Sequence, residues 1–342
     1  MRSKKKVTMA DVAKHAGVSI TTVSHVINNT APISKQVRQQ VYDSIRELGY
    51  EPLKASDFRQ GQRMIACFIP DLRNEFYAQS VQSIFDTAWK YNYGVTVCDI
   101  KHLYSAKSQY LQNFIHNGIS GIIFFGGTMD VELQIKSISN RIPVVLGDMH
   151  IPSTLTGHID AVCTDNINIM MSTVRRLAKA GYRKIGYVSE DFLLANTIDR
   201  YEGFKLGLNS VGIPLDSKHV YISDKLRLNK VISGHDFMKE ILASHDELPE
   251  VFMCTSDLIA IGIIGALREN SYKVPSDIGI IGFDDISIAS YSNPPLTTIA
   301  QDMSQIGRSC FLTLLERIDN PNLPSREVMI SAKFISRESL RL

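Results

Sequence analysis

The chain has 342 residues, 44% of them hydrophobic, with 37 Lys or Arg against 35 Asp or Glu and five cysteines. That is too long for one small domain and apolar enough for a sizeable core. No signal-peptide-like run and no apolar stretch of bilayer length occurs, so a cytoplasmic protein without a membrane partner is expected.

The near-neutral total hides a division. Residues 1–63 hold 11 basic against 5 acidic side chains, a net of +6, and the remainder nets −4. A basic head on an acidic body suits phosphate neutralisation, for which Arg2, Lys4, Lys5, Lys6, Lys14, Lys35 and Arg38 are available.

In chain order, Val7 to Asn28 reads as two short helices joined by a tight turn. Thr8 can cap the first, and Asp11 sits in its first turn, where a carboxylate is favoured. Ala10, Val12, Ala13 and Ala16 are small or apolar enough for close crossing, and Gly17 supplies the turn. Ser19 caps the second helix, whose apolar stripe is Val23, Val26 and Ile27. Ile20, Thr21, Thr22, Ser24 and His25 are left for another face. This is the layout of a helix-turn-helix whose second helix enters the DNA major groove. A third helix, Lys35 to Leu48, is capped by Ser34 and closed by Gly49. Residues 51–63 have the polar, basic composition of a linker.

Beyond residue 63 short apolar runs alternate with amphipathic helices. Ile65–Ile69, Val95–Ile100, Gly121–Phe125, Val144–Gly147, Ala161–Cys163, Lys184–Val188, Val251–Cys254 and Ile278–Gly282 read as buried strands. Helices are predicted over Tyr77–Tyr91, Ser105–Asn117, Ile167–Ala180, Arg200–Ser210, Gly234–Ser244, Asp257–Asn270 and Ser304–Ile318. Such alternation implies parallel sheets covered on both faces, and the series is long enough for two. Ligands then bind outside the carboxyl ends of the strands, between the two lobes.

No enzymatic constellation stands out. Gly118, Gly121, Gly126 and Gly127 do not form a GxGxxG turn opening a helix, and no nucleophile–base set is visible, so an enzyme is not expected. The five cysteines form no CxxC pair, and the nine histidines show no HxxxH or HxxE grouping with them. Buried thiols, no metal site and no cofactor are therefore expected.

Across essentially its whole length the chain resembles the lactose-repressor/galactose-repressor (LacI/GalR) family of transcription regulators. The helix-turn-helix carries part of the resemblance. So do Gly282-Phe283-Asp284-Asp285-Ile286, Asn293-Pro294-Pro295-Leu296-Thr297-Thr298-Ile299 with Gln301, and Ile69-Pro70-Asp71 before Asn74-Glu75-Phe76-Tyr77. Thr164-Asp165-Asn166, Leu177 to Ile185, Arg200-Tyr201-Glu202-Gly203-Phe204 and Ser256-Asp257 complete it.

The resemblance implies an all-α helix-turn-helix head (1–50), a hinge (51–63) and an α/β core of two doubly wound lobes like that of periplasmic binding proteins (64–342). It places one lobe at 64–164 and 294–325, the other at 165–293 and 326–342. It implies a repressor binding a pseudo-palindromic operator as a homodimer, with a small effector between the lobes. A solute-binding protein shares such a core but not the basic head.

Site residues follow from the same resemblance. Ile20, Thr21 and His25 would read bases. Thr8, Ser19, Thr22, Ser24, Asn28 and Lys5 complete the DNA-facing set, Thr22 and Ser24 through phosphate. Counting from Pro52 puts Arg59 at the hinge position that wedges into the minor groove, where the family usually carries Leu. Its neighbour Phe58 is apolar and is the better wedge on physical grounds. Arg200 would bind effector through its planar fork, with Asp257 and Asp148 as hydroxyl acceptors and Phe76 as an apolar face. One Arg among carboxylates suits a sugar, with a purine or nucleoside as the alternative. Asp284 and Asp285 are expected to be structural or lobe-interface residues.

Overall fold

The computed structural model describes residues 7–28, 31–50, 63–100, 109–126, 129–155, 157, 159–192, 195–244 and 247–342. The linker segment 51–62, and with it the wedge candidates Phe58 and Arg59, lies outside the described residues, as does Lys5. Two units separate by contacts, residues 1–63 and residues 64–342.

In the first unit Thr8 and Asp11 cap one another's backbone at the start of α1 (Met9–His15). Each satisfies an amide that the first helical turn would otherwise leave bare. Gly17, at φ +62°, turns the chain into α2 (Ile20–Asn28). Ser19 Oγ accepts from the Thr22 amide at 3.0 Å and so starts that helix. Ser34 caps α3 (Lys35–Leu48), and left-handed Gly49 ends it. Val12, Ala13, Ala16, Val23, Val26 and Val41 close into one small buried core.

The second unit holds two six-stranded sheets. In the first the order is β11 (Glu327–Ile330), β5 (Ile159–Thr164), β4 (Val144–Gly147), β3 (Ile119–Phe125), β1 (Arg63–Ile69), β2 (Tyr93–Asp99). In the second it is β12 (Lys333–Ile335), β10 (Thr297–Ala300), β9 (Gly279–Asp284), β8 (Val251–Cys254), β6 (Ile185–Ser189), β7 (Val220–Ile222). Both sheets thus run 2-1-3-4-5 in their own chain order, followed by a strand that returns late. The pairings β1–β3, β3–β4 and β4–β5 are parallel, as are β6–β8, β8–β9 and β9–β10, while β12 pairs antiparallel to β10. These strands are apolar on both faces because helices cover both sides.

The first sheet carries α4 (Glu75–Lys90), α5 (Gln109–His116), α6 (Met129–Ile138) and α11 (Met303–Asp319). The second carries α7 (Asn166–Lys179), α8 (Ala195–Ser210), α9 (Lys230–Ala243) and α10 (Asp257–Glu269). Among the described residues no helix is long and apolar enough to cross a membrane.

Two of the expected lobe crossings are displaced. The Asn293-Pro294-Pro295 run is not a crossing: it joins β9 to β10, and β10 pairs with β9 in the second sheet. Leu296 and Ile299 are buried there, so the apolar run continues the second lobe's own core. The crossing follows at 300–303, before α11 packs on α4. Likewise β11 pairs with β5 in the first sheet, which moves the last crossing from 325 to between 330 and 333. Residues 294–300 therefore belong with the second lobe and 326–330 with the first.

Candidate functional site

On the head, α2 buries Val23 and Val26 and leaves Ile20 53% exposed, with Thr21 also exposed. Thr22, Ser24 and His25 are half-buried on its flanks. Thr8 and Ser19 both spend their hydroxyls on capping: Thr8 Oγ1 donates to Asp11 at 2.6 Å, and Ser19 Oγ lies 2.8 Å from Thr22 Oγ1. The N-terminal half of α2 is thus a solvent-facing ridge, of a width that fits a major groove.

In the second unit, polar side chains converge from the carboxyl ends of both sheets. Asp148 follows β4, Glu190 follows β6, Thr255 follows β8, Asp284 ends β9 and Gln301 follows β10. This is where a doubly wound sheet opens its crevice. Asp148 and Asp284 both adopt positive φ, at +58° and +114°, a strained backbone for a non-glycine residue.

Arg200, on α8, is 5% exposed. Its Nε donates to Asn166 Oδ1 at 3.0 Å and its Nη1 to the Thr255 carbonyl at 2.7 Å. The guanidinium lies 3.7 Å above the Phe283 ring. Neither acidic neighbour neutralises it, since Asp199 faces His150 and Glu202 pairs with Lys205. Its charge instead falls on two buried carboxylates. Burial pushes Asp148 up to about 6, against the pull of Arg200 and the hydrogen bond from Asn196. Burial also raises Asp284, opposed by Arg200 and Lys230. Burial would raise Glu190 too, but Lys230 Nζ at 2.7 Å and the Thr255 hydroxyl at 2.9 Å hold it below the ordinary range.

The lobes meet directly around this cluster. Asn196 Nδ2 donates to Asp148 Oδ2 at 2.7 Å, and the Ser287 amide donates to Glu75 at 2.9 Å. Thr164 Oγ1 donates to Gln301 Oε1, whose Nε2 donates to Asp284 Oδ1 at 2.7 Å. Asp148 Oδ1 and Asn196 Oδ1 are buried with no hydrogen-bond partner among the described residues. A cavity of about 290 Å³ lies elsewhere, at the crossing segments, lined by Gln79, Asp285, Gln301 and Lys333 among others. It does not include Arg200, Asp148 or Asp284. Chemistry rather than volume marks the cluster as the candidate site.

Two expected effector residues stand differently. Asp257 has no exposed surface, Oδ1 accepts from Thr298 Oγ1 at 2.5 Å, and Oδ2 accepts from the Ile286 amide at 2.9 Å, contacts of a framework residue. Each oxygen accepts a hydrogen bond within the second lobe, and Ser256 rather than Asp257 caps α10. Phe76 is 3% exposed, edge-on to Tyr77 in the core. Tyr77, with Phe283 beneath Arg200, brings aromatic surface to the cluster. Burial raises its hydroxyl pKa, and the charges of Asp148, Asp284 and Glu190 add to the rise. Asp284, expected to be a structural or lobe-interface residue, lies in the cluster between the lobes, linked through Gln301 to Thr164. Its place at a strand's carboxyl end was the signal for it. Glu190, just past the end of β6, carried the same signal, whereas Asn196 and Lys230, on helices, carried none comparable.

The comparisons with known proteins agree with this architecture. The family described as "Bacterial regulatory proteins, lacI family" matches residues 8–52, and "Periplasmic binding protein-like domain" matches residues 174–340. The head thus matches the model of the LacI family of bacterial regulatory proteins, and the core that of a periplasmic-binding-protein-like domain. The chain is 28% identical to the HTH-type transcriptional repressor CytR of Escherichia coli K12, over 100% of this chain and 99% of that one. Its fold matches a CelR–cellobiose complex at TM-score 0.71 and 24% identity, covering 97% of this chain and 99% of that one. A LacI-family regulator from Enterococcus faecium with bound ribose matches at TM-score 0.67 and 26% identity, over 81% of this chain and 98% of the other.

Proposed function

We propose that this chain is a transcriptional repressor that binds a pseudo-palindromic operator as a homodimer through α2. Its operator affinity is set by a sugar, or a compound presenting sugar hydroxyls, held between the lobes. Arg200, Asp148 and Asp284 form the effector set, with Tyr77, Glu190, Asn196 and Lys230 around them. One observation carries the reading: among the described residues the buried Arg200 guanidinium has no carboxylate ion pair, its charge acts on the buried Asp148, and Asp148 Oδ1 accepts no hydrogen bond. Buried polar groups are rarely left so, and a ligand offering both acceptors and hydroxyl donors satisfies both sides.

Three carboxylates outnumber the two cations Arg200 and Lys230, which favours a neutral polyhydroxy ligand over a phosphate. The ribose bound to the Enterococcus faecium regulator points the same way. A dimer follows from the head's size, since one recognition helix reads only a few base pairs and useful affinity needs two half-sites. The Asn196–Asp148 hydrogen bond joins the lobes beside the oxygen offered to the ligand, so occupancy and lobe geometry are linked. A ligand shifts operator affinity only by its differential affinity for the two lobe arrangements.

A thermal-shift screen of sugars, polyols, nucleosides and purines tests the effector class, because a ligand that binds the folded core stabilises it. Carbohydrate hits that also alter operator retardation are expected. A purine hit without any carbohydrate hit would overturn the sugar reading and leave the regulator intact.

A further inference from the structure

Three side chains that the sequence scatters over 177 positions meet at one edge of the first lobe. His150 follows β4, Cys163 lies on β5 and Glu327 opens β11. One ligand atom from each lies within 4.8 Å of the others. His150 Nδ1 is 2.8 Å from Glu327 Oε2 and 3.7 Å from Cys163 Sγ. We propose that His150 Nδ1, Cys163 Sγ and a Glu327 carboxylate oxygen form a zinc(II) site. The local spacing rules that argued against a metal could not see it, because the ligands come from three strands rather than one motif.

The distances suit the ion. Tetrahedral zinc, with bonds of about 2.0–2.3 Å to nitrogen, oxygen and sulfur, sets its ligand atoms about 3.3–3.8 Å apart. The His–Cys separation is already in that range. The His–Glu pair has to lengthen by about half an ångström when coordination replaces its hydrogen bond. Binding takes the proton from Nδ1 and from the Cys163 thiol, and both leave to solvent. Imidazole, thiolate and carboxylate together are a zinc donor set, since a copper(I) site would favour soft ligands alone.

A second observation is independent of the three ligands. The other ring nitrogen, His150 Nε2, lies 3.0 Å from Asp199 Oδ2, a buried oxygen with no other partner among the described residues. Metal-bound histidines nearly always give their remaining N–H to a carboxylate, a backbone carbonyl or water, which fixes the ring and raises its basicity, and Asp199 supplies the carboxylate. Asp199 is on α8 of the second lobe, one residue before Arg200. Metal occupancy would therefore tie the first lobe to the helix that carries the effector arginine. The rival arrangement is a plain ion pair, an imidazolium held between Asp199 and Glu327.

Cobalt(II) distinguishes them. Titrated into the chelator-stripped, full-length protein, cobalt is expected to bind at one equivalent with a thiolate-to-cobalt charge-transfer absorption and the intense visible bands of four-coordination. Zinc should then bleach both. Cys163→Ser should abolish the charge-transfer band, and His150→Gln should weaken binding at least about 10-fold. Asp199→Asn should keep the band and weaken the affinity about 10–100-fold. Circular dichroism of each variant guards against misfolding, and because His150 is partly exposed, its variant stands if Cys163→Ser fails to fold. No charge-transfer band in the wild type, cobalt bound without one, or a band that survives in folded Cys163→Ser each overturns the site.

Discussion

Asp148 in the first lobe accepts a hydrogen bond from Asn196 in the second, 2.7 Å away, while its other carboxylate oxygen is buried and unpartnered among the described residues. One side chain thus bridges the lobes and keeps an acceptor in reserve. If that acceptor takes an effector hydroxyl, Asp148→Ala removes a hydrogen bond to a charged group, worth about 1.5–3 kcal/mol. Effector affinity should fall about 10–100-fold with operator binding by the ligand-free protein retained. Calorimetry with the screened effector measures it, and an unchanged affinity would remove Asp148 from the site.

Arg200 is held by Asn166, the Thr255 carbonyl and the face of Phe283. These structural contacts already use the planar fork, so Arg200→Lys should lower the melting temperature whichever role holds, and the ligand response is the readout that decides. Effector binding needs the planar fork, which lysine lacks. Arg200→Lys is therefore expected to fold and bind operator but to lose the ligand response in a retardation assay. A lysine variant that responds normally would show that the fork holds the lobe and not the ligand.

Two buried carboxylates should give pH dependences of opposite sign. The folded-state pKa of Asp284 is raised, so the folded protein holds its proton longer than the unfolded chain. Its contribution to stability is best below the unfolded value and falls as pH rises through the folded one. Asp284→Asn should then raise the melting temperature by a few degrees near neutrality, and the gain should shrink toward acid pH while effector binding is lost. Glu190 is lowered, chiefly by Lys230 acting against burial. Its stabilisation is present above the unfolded value and is lost as pH falls through the folded one. Glu190→Gln should cost stability near neutrality, again with a difference that closes in acid. Melting curves across pH for the two variants check the signs, and parallel curves for either would contradict its assignment.

Asp257 separates a site residue from a framework residue. It holds the Thr298 hydroxyl and the Ile286 amide, and Gly282 makes room for it: a Cβ at that glycine would come within 2.1 Å of Asp257 Oδ1. Asp257→Ala strands both donors, at a cost of about 2–4 kcal/mol. The melting temperature should drop, and the folded fraction should bind effector with unchanged affinity. Weakened binding without destabilisation would restore Asp257 to the site.

These assignments mark how far the sequence could be read. Strands such as Ile65–Ile69 and Val144–Gly147 were legible because burial on both faces leaves an unbroken apolar run. β10 and β11 were not, since Thr297-Thr298 and Glu327 interrupt that signal and their partners are remote. The helix carrying Arg200 was expected from Arg200 onward. It begins at Ala195, with no strong capping residue to announce it, and that extra turn brings Asn196 and Asp199 to the first lobe. Arg200 was recognisable from its family motif. Its contact with Phe283 depends on where β9 lies beside α8, which no local pattern encodes.

The head gives the last test. Val23 and Val26 face its core, so Ile20, Thr21 and His25 lie on the side of α2 turned away from it. Thr21 can meet a thymine methyl or a base edge, and His25 can donate to guanine O6 or N7. Removing either should cost about 1–3 kcal/mol at one position of each half-site and relax preference there alone. Lys14 is exposed in the last turn of α1, and a lysine that touches only phosphate behaves differently. Lys14→Ala should weaken all sequences alike and reduce the salt slope by about 1. Selection from randomised operators, run at two salt concentrations, separates the two behaviours. If Thr21→Ala and His25→Ala both select the wild-type sequences, α2 is not the reading helix.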